Sequence, residues 1–159
     1  MPTVRLSFSP AAAHVRTARL VGVAVARRAG VAEELLEEVR LAIGEACSRA
    51  VALHRSRGLD DLVDVAMADG DRFTVRVVDR AANGAMVTRT PEGGDAAVLL
   101  SDPALPLSTP PDLLAEEAVA ARMGLALLAG LVDDLNVSEL SEGVGTEVRM
   151  SWPLERPND

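Results

Sequence analysis

Glu45 and Arg49 stand one helical turn apart in a chain of 159 residues, and few other side chains are typed and spaced for chemistry. A glutamate followed four residues later by an arginine is the favoured orientation of a helix-surface ion pair, which contributes about 0.2–0.5 kcal/mol. The same arginine could instead meet a phosphate, fork to oxygen. With five donors and no lone pair, it cannot ligate a metal. Asp79 closes a β-rich run, where an aspartate commonly initiates a turn. His14 and His54 have no neighbouring ligand pattern, and His54, near the end of a helix, suits the negative pole there. Ser48 and Ser151 have no histidine base in their sequence context. Cys47 is the single cysteine, which excludes an internal disulfide and a cysteine-cluster zinc site. On a mostly apolar helix it reads as an inert buried thiol. All 16 basic residues other than histidine are arginine, so a P-loop lysine, a Schiff-base lysine and a Ser-Lys dyad are absent.

The elements that must position these residues follow from length, charge and periodicity. A chain of this size makes one domain that buries most of its apolar surface without staples. With 24 acidic against 16 basic side chains, the net charge of −8 argues against a nucleic-acid binder and for a protein or small-molecule partner. No stretch approaches the roughly 20 apolar residues of a membrane span, and no charged segment leads into an apolar run, so a cytoplasmic location is expected.

Val4, Leu6 and Phe8 alternate with Arg5 and Ser7, predicting a half-buried strand. Ser9-Pro10 predicts an N-cap and first helical position for a helix over 11–29, stopped by Gly30. A second helix begins near Val31-Ala32, carries Glu33, Glu34, Glu37 and Glu38 in its first turns and ends on His54 to Gly58. Its predicted apolar stripe is Leu35, Val39, Ala42, Ile43, Ala46 and Ala50, with Leu36 and Cys47 at the margin. The runs 62–67 and 73–78 flank Asp69-Gly70-Asp71 as a hairpin. A Pro- and Gly-rich loop then spans 80–112, far beyond the usual connection of roughly 4 to 6 residues. A third helix over about 113–132 and a strand pair, 135–140 and 146–152, complete the chain. Residues 154–159 form a polar, frayed tail. The order predicts an α+β two-layer sandwich, with three helices on one face of a mixed, mostly antiparallel sheet.

Four blocks on these elements carry a family resemblance: Val39 to Cys47, Val75 to Asp79, Gly124 to Asp134, and Gly145 to Met150. In order, spacing and placement they resemble the anti-sigma-factor serine kinases of the GHKL superfamily, the Bergerat-fold ATPases that also include histidine-kinase and Hsp90-type domains. The resemblance covers the chain to about Pro153 and implies a single GHKL-like domain over 1–153, with 80–112 as its lid loop and 154–159 as a tail.

The resemblance implies roles residue by residue. Glu45 takes the place of the general base, vestigial or acting. Arg49 stands where an asparagine would coordinate magnesium, so the metal ligand is missing; the arginine either pairs with Glu45 on the helix surface, neutralises it inside a vestigial pocket, or meets a phosphate. Asp79 corresponds to the adenine-reading aspartate. Asn83 and Gly84 stand near the glycines expected after it, with the spacing shifted. Gly124 is the one phosphate-loop glycine retained, Arg122 replacing another, and Thr146 belongs to the final block.

The function so implied is an anti-sigma-factor-like regulator that binds a sigma factor, a STAS-type anti-sigma antagonist, or both, in a partner-switching pathway with ATP binding weak or lost. This is a pseudokinase reading, with no metal and no cofactor expected beyond weakly held magnesium-ATP. The alternative is an active ATP-dependent serine kinase that phosphorylates the antagonist. Neither nucleic acid nor membrane is an expected partner, and a homodimer is compatible with both. Arg16, Arg19, Arg27 and Arg28 give the first helix a basic face, either solvated or used to steer an acidic partner. The apolar run 96–100 in the loop either anchors a partner or packs over the cleft.

Overall fold

The computed structural model describes residues 3–81, 126–141 and 143–155. Strand β1 (Thr3–Phe8) leads into helix α1 (Ala12–Ala29), a 3₁₀ turn (Glu33–Leu35) and helix α2 (Leu36–Ser56). Strands β2 (Val63–Asp69) and β3 (Arg72–Asp79) follow, and after a helical segment over 126–131 come β4 (Asp134–Glu139) and β5 (Thr146–Pro153). The five strands lie in the order β1-β2-β3-β5-β4. Every described pairing is antiparallel, so the sheet is not mixed among the described residues.

Alternation decides which face is covered. Val63, Val65 and Met67 of β2, Phe73, Val75 and Val77 of β3, and Val148, Met150 and Trp152 of β5 are buried and form one cluster with the helices. From the helix side, Val15, Ala18 and Ala26 of α1, Val39, Ile43, Ala46 and Ala50 of α2, and Leu128 and Val132 enter the same cluster. The opposite face carries polar and small side chains, such as Arg5, Ala66, Arg76 and Arg149, which share one cross-strand row. The helices therefore lie on one face, as expected.

Several local expectations shift. The first helix starts at Ala12 rather than on Pro10, its N-cap residue Ala11 gives no side-chain cap, and Ser9 instead accepts the Ala11 N–H through its carbonyl at 2.7 Å. Gly30 does stop the helix in the left-handed region, at φ 105°, donating to the Ala26 and Arg27 carbonyls. The second helix opens with the 3₁₀ turn, which rotates Leu35 to a half-buried position and sends Leu36 into the core. Leu36 and Cys47 are core residues rather than marginal ones. The tail is anchored at its start: Glu155 donates its N–H to the Gly30 carbonyl at 2.8 Å, and Leu154 packs on the core.

Helices α1 and α2 approach closely through one glycine each. A Cβ on Gly22 would fall 2.2 Å from the Ile43 Cδ1, and one on Gly44 would fall 2.2 Å from the Arg19 Nε. An isoleucine from α2 and an arginine from α1 thus each cross the other helix where a side chain is missing, at the cost of about 1 kcal/mol of helix propensity per glycine.

Candidate functional site

Helix α2 brings its C-terminal half over the end of β3, and three of its side chains finish there. Arg49 Nη1 donates to Asp79 Oδ2 at 2.8 Å, across 30 residues of sequence. The side chains are 2% and 0% exposed, so this is a buried ion pair. Asp79 Oδ1 accepts the Ala81 N–H at 3.0 Å, leaving both carboxylate oxygens engaged. Burial pushes the Arg49 guanidinium below its ordinary value, while the charge of Asp79 and its hydrogen bond push it back up. The guanidinium stays charged, and the pair is held because each partner is the other's compensation in a medium that water does not reach.

His54 completes the clamp. Its fully buried ring accepts the Arg80 N–H at Nε2 at 2.9 Å, and its Nδ1 lies 2.9 Å from the Asp61 carbonyl. A nitrogen that accepts from a backbone N–H carries no proton, so the proton is assigned to Nδ1, which donates to Asp61. His54 does not serve the helix pole as expected from its position. It ties the connection after α2 to the exit of β3. Leu53 and Ala81 cover this junction as a small apolar cluster with Ala52 and Leu59. The inward placement of His54 follows the helical period: Leu36, Ile43, Cys47, Ala50 and His54 share one stripe of α2.

The third wall comes from β5. Thr146 pairs with Asp79 across the strands, and its hydroxyl is buried with no hydrogen-bond partner among the described residues. Gly145 precedes it at φ 143°, and a Cβ there would fall 2.0 Å from the Asp79 carbonyl oxygen. Only glycine allows β5 to begin this close to the end of β3.

Glu45 lies one turn before Arg49 on α2, half-buried, with no ion-pair partner among the described residues. The expected surface pair between Glu45 and Arg49 is therefore not formed, nor does Arg49 neutralise Glu45 in a pocket. The stronger claim comes from Asp79, which is fully buried and needs a cation more than a half-exposed glutamate does. The structure thus gathers Arg49, Asp79 and Thr146 and leaves Glu45 at their edge. Asn83, Gly84, Gly124, the run 96–100 and most of the loop 80–112 lie outside the described residues.

The remaining candidates resolve simply. The Cys47 thiol is buried and pushed up to about 12 by desolvation, against a smaller downward pull from Arg19. Such a thiol is inert at neutral pH. Ser151 sits in a polar network on the open sheet face, accepting from Arg72 Nε at 2.8 Å and donating to Asp134. Among the described residues no group of three or more His, Cys, Asp or Glu side chains could hold a metal ion. No described helix is long and apolar enough to cross a membrane.

A family model described as the histidine kinase-like ATPase domain matches residues 8–152. That span runs from the end of β1 through Trp152 in β5, enclosing every site residue named above. No curated protein matches the chain.

Proposed function

Since the chain belongs to the histidine kinase-like ATPase family, we propose that it is a protein-binding regulator of the anti-sigma type whose partner affinity is independent of ATP. One observation carries the reading: the buried ion pair of Arg49 with Asp79. In the role the family resemblance implies, Asp79 accepts a hydrogen bond from the adenine amine. Here one oxygen is taken by a guanidinium and the other by the Ala81 N–H, and the carboxylate is fully buried. An adenine amine would have to reach a carboxylate that is 0% exposed and packed against a guanidinium, so seating it would weaken a charge-assisted hydrogen bond in favour of a neutral one, roughly half as strong. The residues present do not fit an adenine at this position. Position 49 also offers no lone pair to magnesium.

Under this reading Arg49 replaces the nucleotide as the group that orders the end of β3. The fold is then held ready for a sigma factor or a STAS-type antagonist without a ligand. A second reading, an active serine kinase, is favoured by the half-exposed Glu45 and by the Thr146 hydroxyl beside Asp79, which has no hydrogen-bond partner among the described residues. In that case nucleotide binding would expel Arg49.

Calorimetric titration with magnesium-ATP, followed by partner binding with and without it, separates the two. The expected result is no heat at about 1 mM ATP and partner affinities equal within about twofold. Micromolar, magnesium-dependent binding with phosphate transfer to a partner serine overturns the proposal and establishes the kinase.

A further inference from the structure

We infer that the cleft between α1 and α2 is a second binding site, for a compact small molecule bearing oxyanion groups. The cleft has a volume of about 320 Å³ and is lined chiefly by Val15, Arg16, Arg19, Ser48, Val51 and Arg55; neither Arg49 nor Asp79 reaches it. The volume is at the lower end of small-molecule pockets, which run from about 300 to 1,000 Å³.

Charge selects the ligand. Three arginines and a serine line the cleft, with no carboxylate among the lining residues, in a chain whose net charge is −8. Helix α1 contains no acidic residue at all. Neither Arg16 nor Arg19 has an ion-pair partner among the described residues. Arg16 and Arg19 thus place two like charges on one cleft, and an oxyanion between them replaces their repulsion with charge-assisted, fork-to-oxygen hydrogen bonds. The first turn of α1 also opens onto the cleft at Ala12, with no side-chain cap and no acidic residue to offset its positive pole. The floor is apolar, formed by the buried Val15 and Val51, so the ligand carries its anionic groups on a small carbon or bridging-oxygen body.

Arg19 is held in place by packing. Its Nε, Cζ and Nη2 lie 2.2, 2.9 and 2.9 Å from where a Gly44 Cβ would stand. The guanidinium therefore occupies the space over the one residue of α2 without a side chain, and Arg19 also lines the cleft. A glycine in the middle of a 21-residue helix is unfavourable by about 1 kcal/mol against alanine, and seating Arg19 is what it provides.

The test is calorimetric titration of the full chain with sodium pyrophosphate and, separately, with citrate, at matched ionic strength so that screening is constant. The arms distinguish phosphate from carboxylate ligands. At least one anion is expected to bind with a Kd near or below about 1 mM and to raise the melting temperature. Arg16→Gln with Arg19→Gln should weaken that binding by about tenfold or more. Gly44→Ala should weaken it as well, because it keeps every charge and every other cleft residue but displaces the guanidinium, and circular dichroism will show the helices intact. Arg27→Gln with Arg28→Gln removes the same charge from the far end of α1 and should change binding by less than about twofold. No binding of either anion at about 10 mM overturns the site. So does an equal loss in the Arg27/Arg28 variant, which would mean diffuse attraction to α1, or undiminished binding in the Arg16/Arg19 variant, which would place the anion elsewhere.

Discussion

Removing the Arg49 guanidinium should cost a large part of the folding free energy. Arg49→Met keeps most of the side-chain length and leaves Asp79, 0% exposed, with the Ala81 N–H as its remaining described donor. Breaking a buried pair in this way costs about 3–5 kcal/mol, against a total stability of about 5–15 kcal/mol for a domain. Asp79→Asn breaks the same pair from the other side, preserves the acceptor for Ala81, and removes the charge that offsets the buried guanidinium there, so it should also destabilise the fold. The double variant Arg49→Met with Asp79→Asn removes both charges together. It should lie within about 1–3 kcal/mol of wild type, since the residual penalty is an imperfectly paired amide. The cycle then gives a coupling of at least about 3 kcal/mol, at the top of the range for residues in direct contact. Urea unfolding followed through Trp152 reads it directly, because that side chain is 2% exposed, stacks near Phe73 at 6.0 Å and becomes solvated on unfolding. With an m-value near 2 kcal/mol/M, each single substitution should lower the midpoint by about 2 M and the double should recover most of it. Additive losses, or single losses below about 1 kcal/mol, would refute the claim that Arg49 and Asp79 stabilise each other, and with it the reading that this pair closes the site.

Two further perturbations test the surroundings of that pair. Gly145→Ala sets a methyl 2.0 Å from the Asp79 carbonyl oxygen at φ 143°, so β5 must move away from β3; we expect a loss above about 3 kcal/mol by urea unfolding, and a loss under about 1 kcal/mol would mean the strand ends are not in contact. Cys47 makes stability fall at high pH. Its thiol rises from an ordinary 9.0 to about 12 on folding, so above pH 9 the unfolded chain releases a proton that the folded chain keeps. Stability is full below about pH 8 and should be lower by about 1.4 kcal/mol near pH 10, a decline that Cys47→Ala abolishes. The chain contains neither lysine nor tyrosine, so few other side chains titrate in that window. An unchanged slope in Cys47→Ala would show the thiol to be solvated.

Much of the architecture was legible along the chain because it rests on local periodicity. The alternation of Val4, Leu6 and Phe8, the Gly30 stop, the hairpin around Gly70 and the last strand pair all appear close to where the residue pattern put them. Boundaries shifted where two local signals competed, as at Ser9-Pro10, where the serine carbonyl rather than its hydroxyl engages the next turn. Glu45, Arg49, Asp79 and Thr146 are candidate site residues by residue type and family resemblance.

The pairing of Arg49 with Asp79 was decided by tertiary structure alone. From the sequence Arg49 has one obvious partner, Glu45, four residues away on the same helix. Folding lays α2 across the end of β3 and gives it another, because leaving a fully buried carboxylate uncompensated costs about 3–5 kcal/mol, an order of magnitude more than a solvated helix pair contributes. The same placement turns His54 inward to hold backbone from two segments, and makes Gly145 a packing requirement rather than an ordinary turn exit. Periodicity along the chain fixes which face of an element is apolar, whereas the partner of a buried charge depends on which elements meet, and contacts between residues as distant as 49 and 79 exist only after the helices have settled on the sheet.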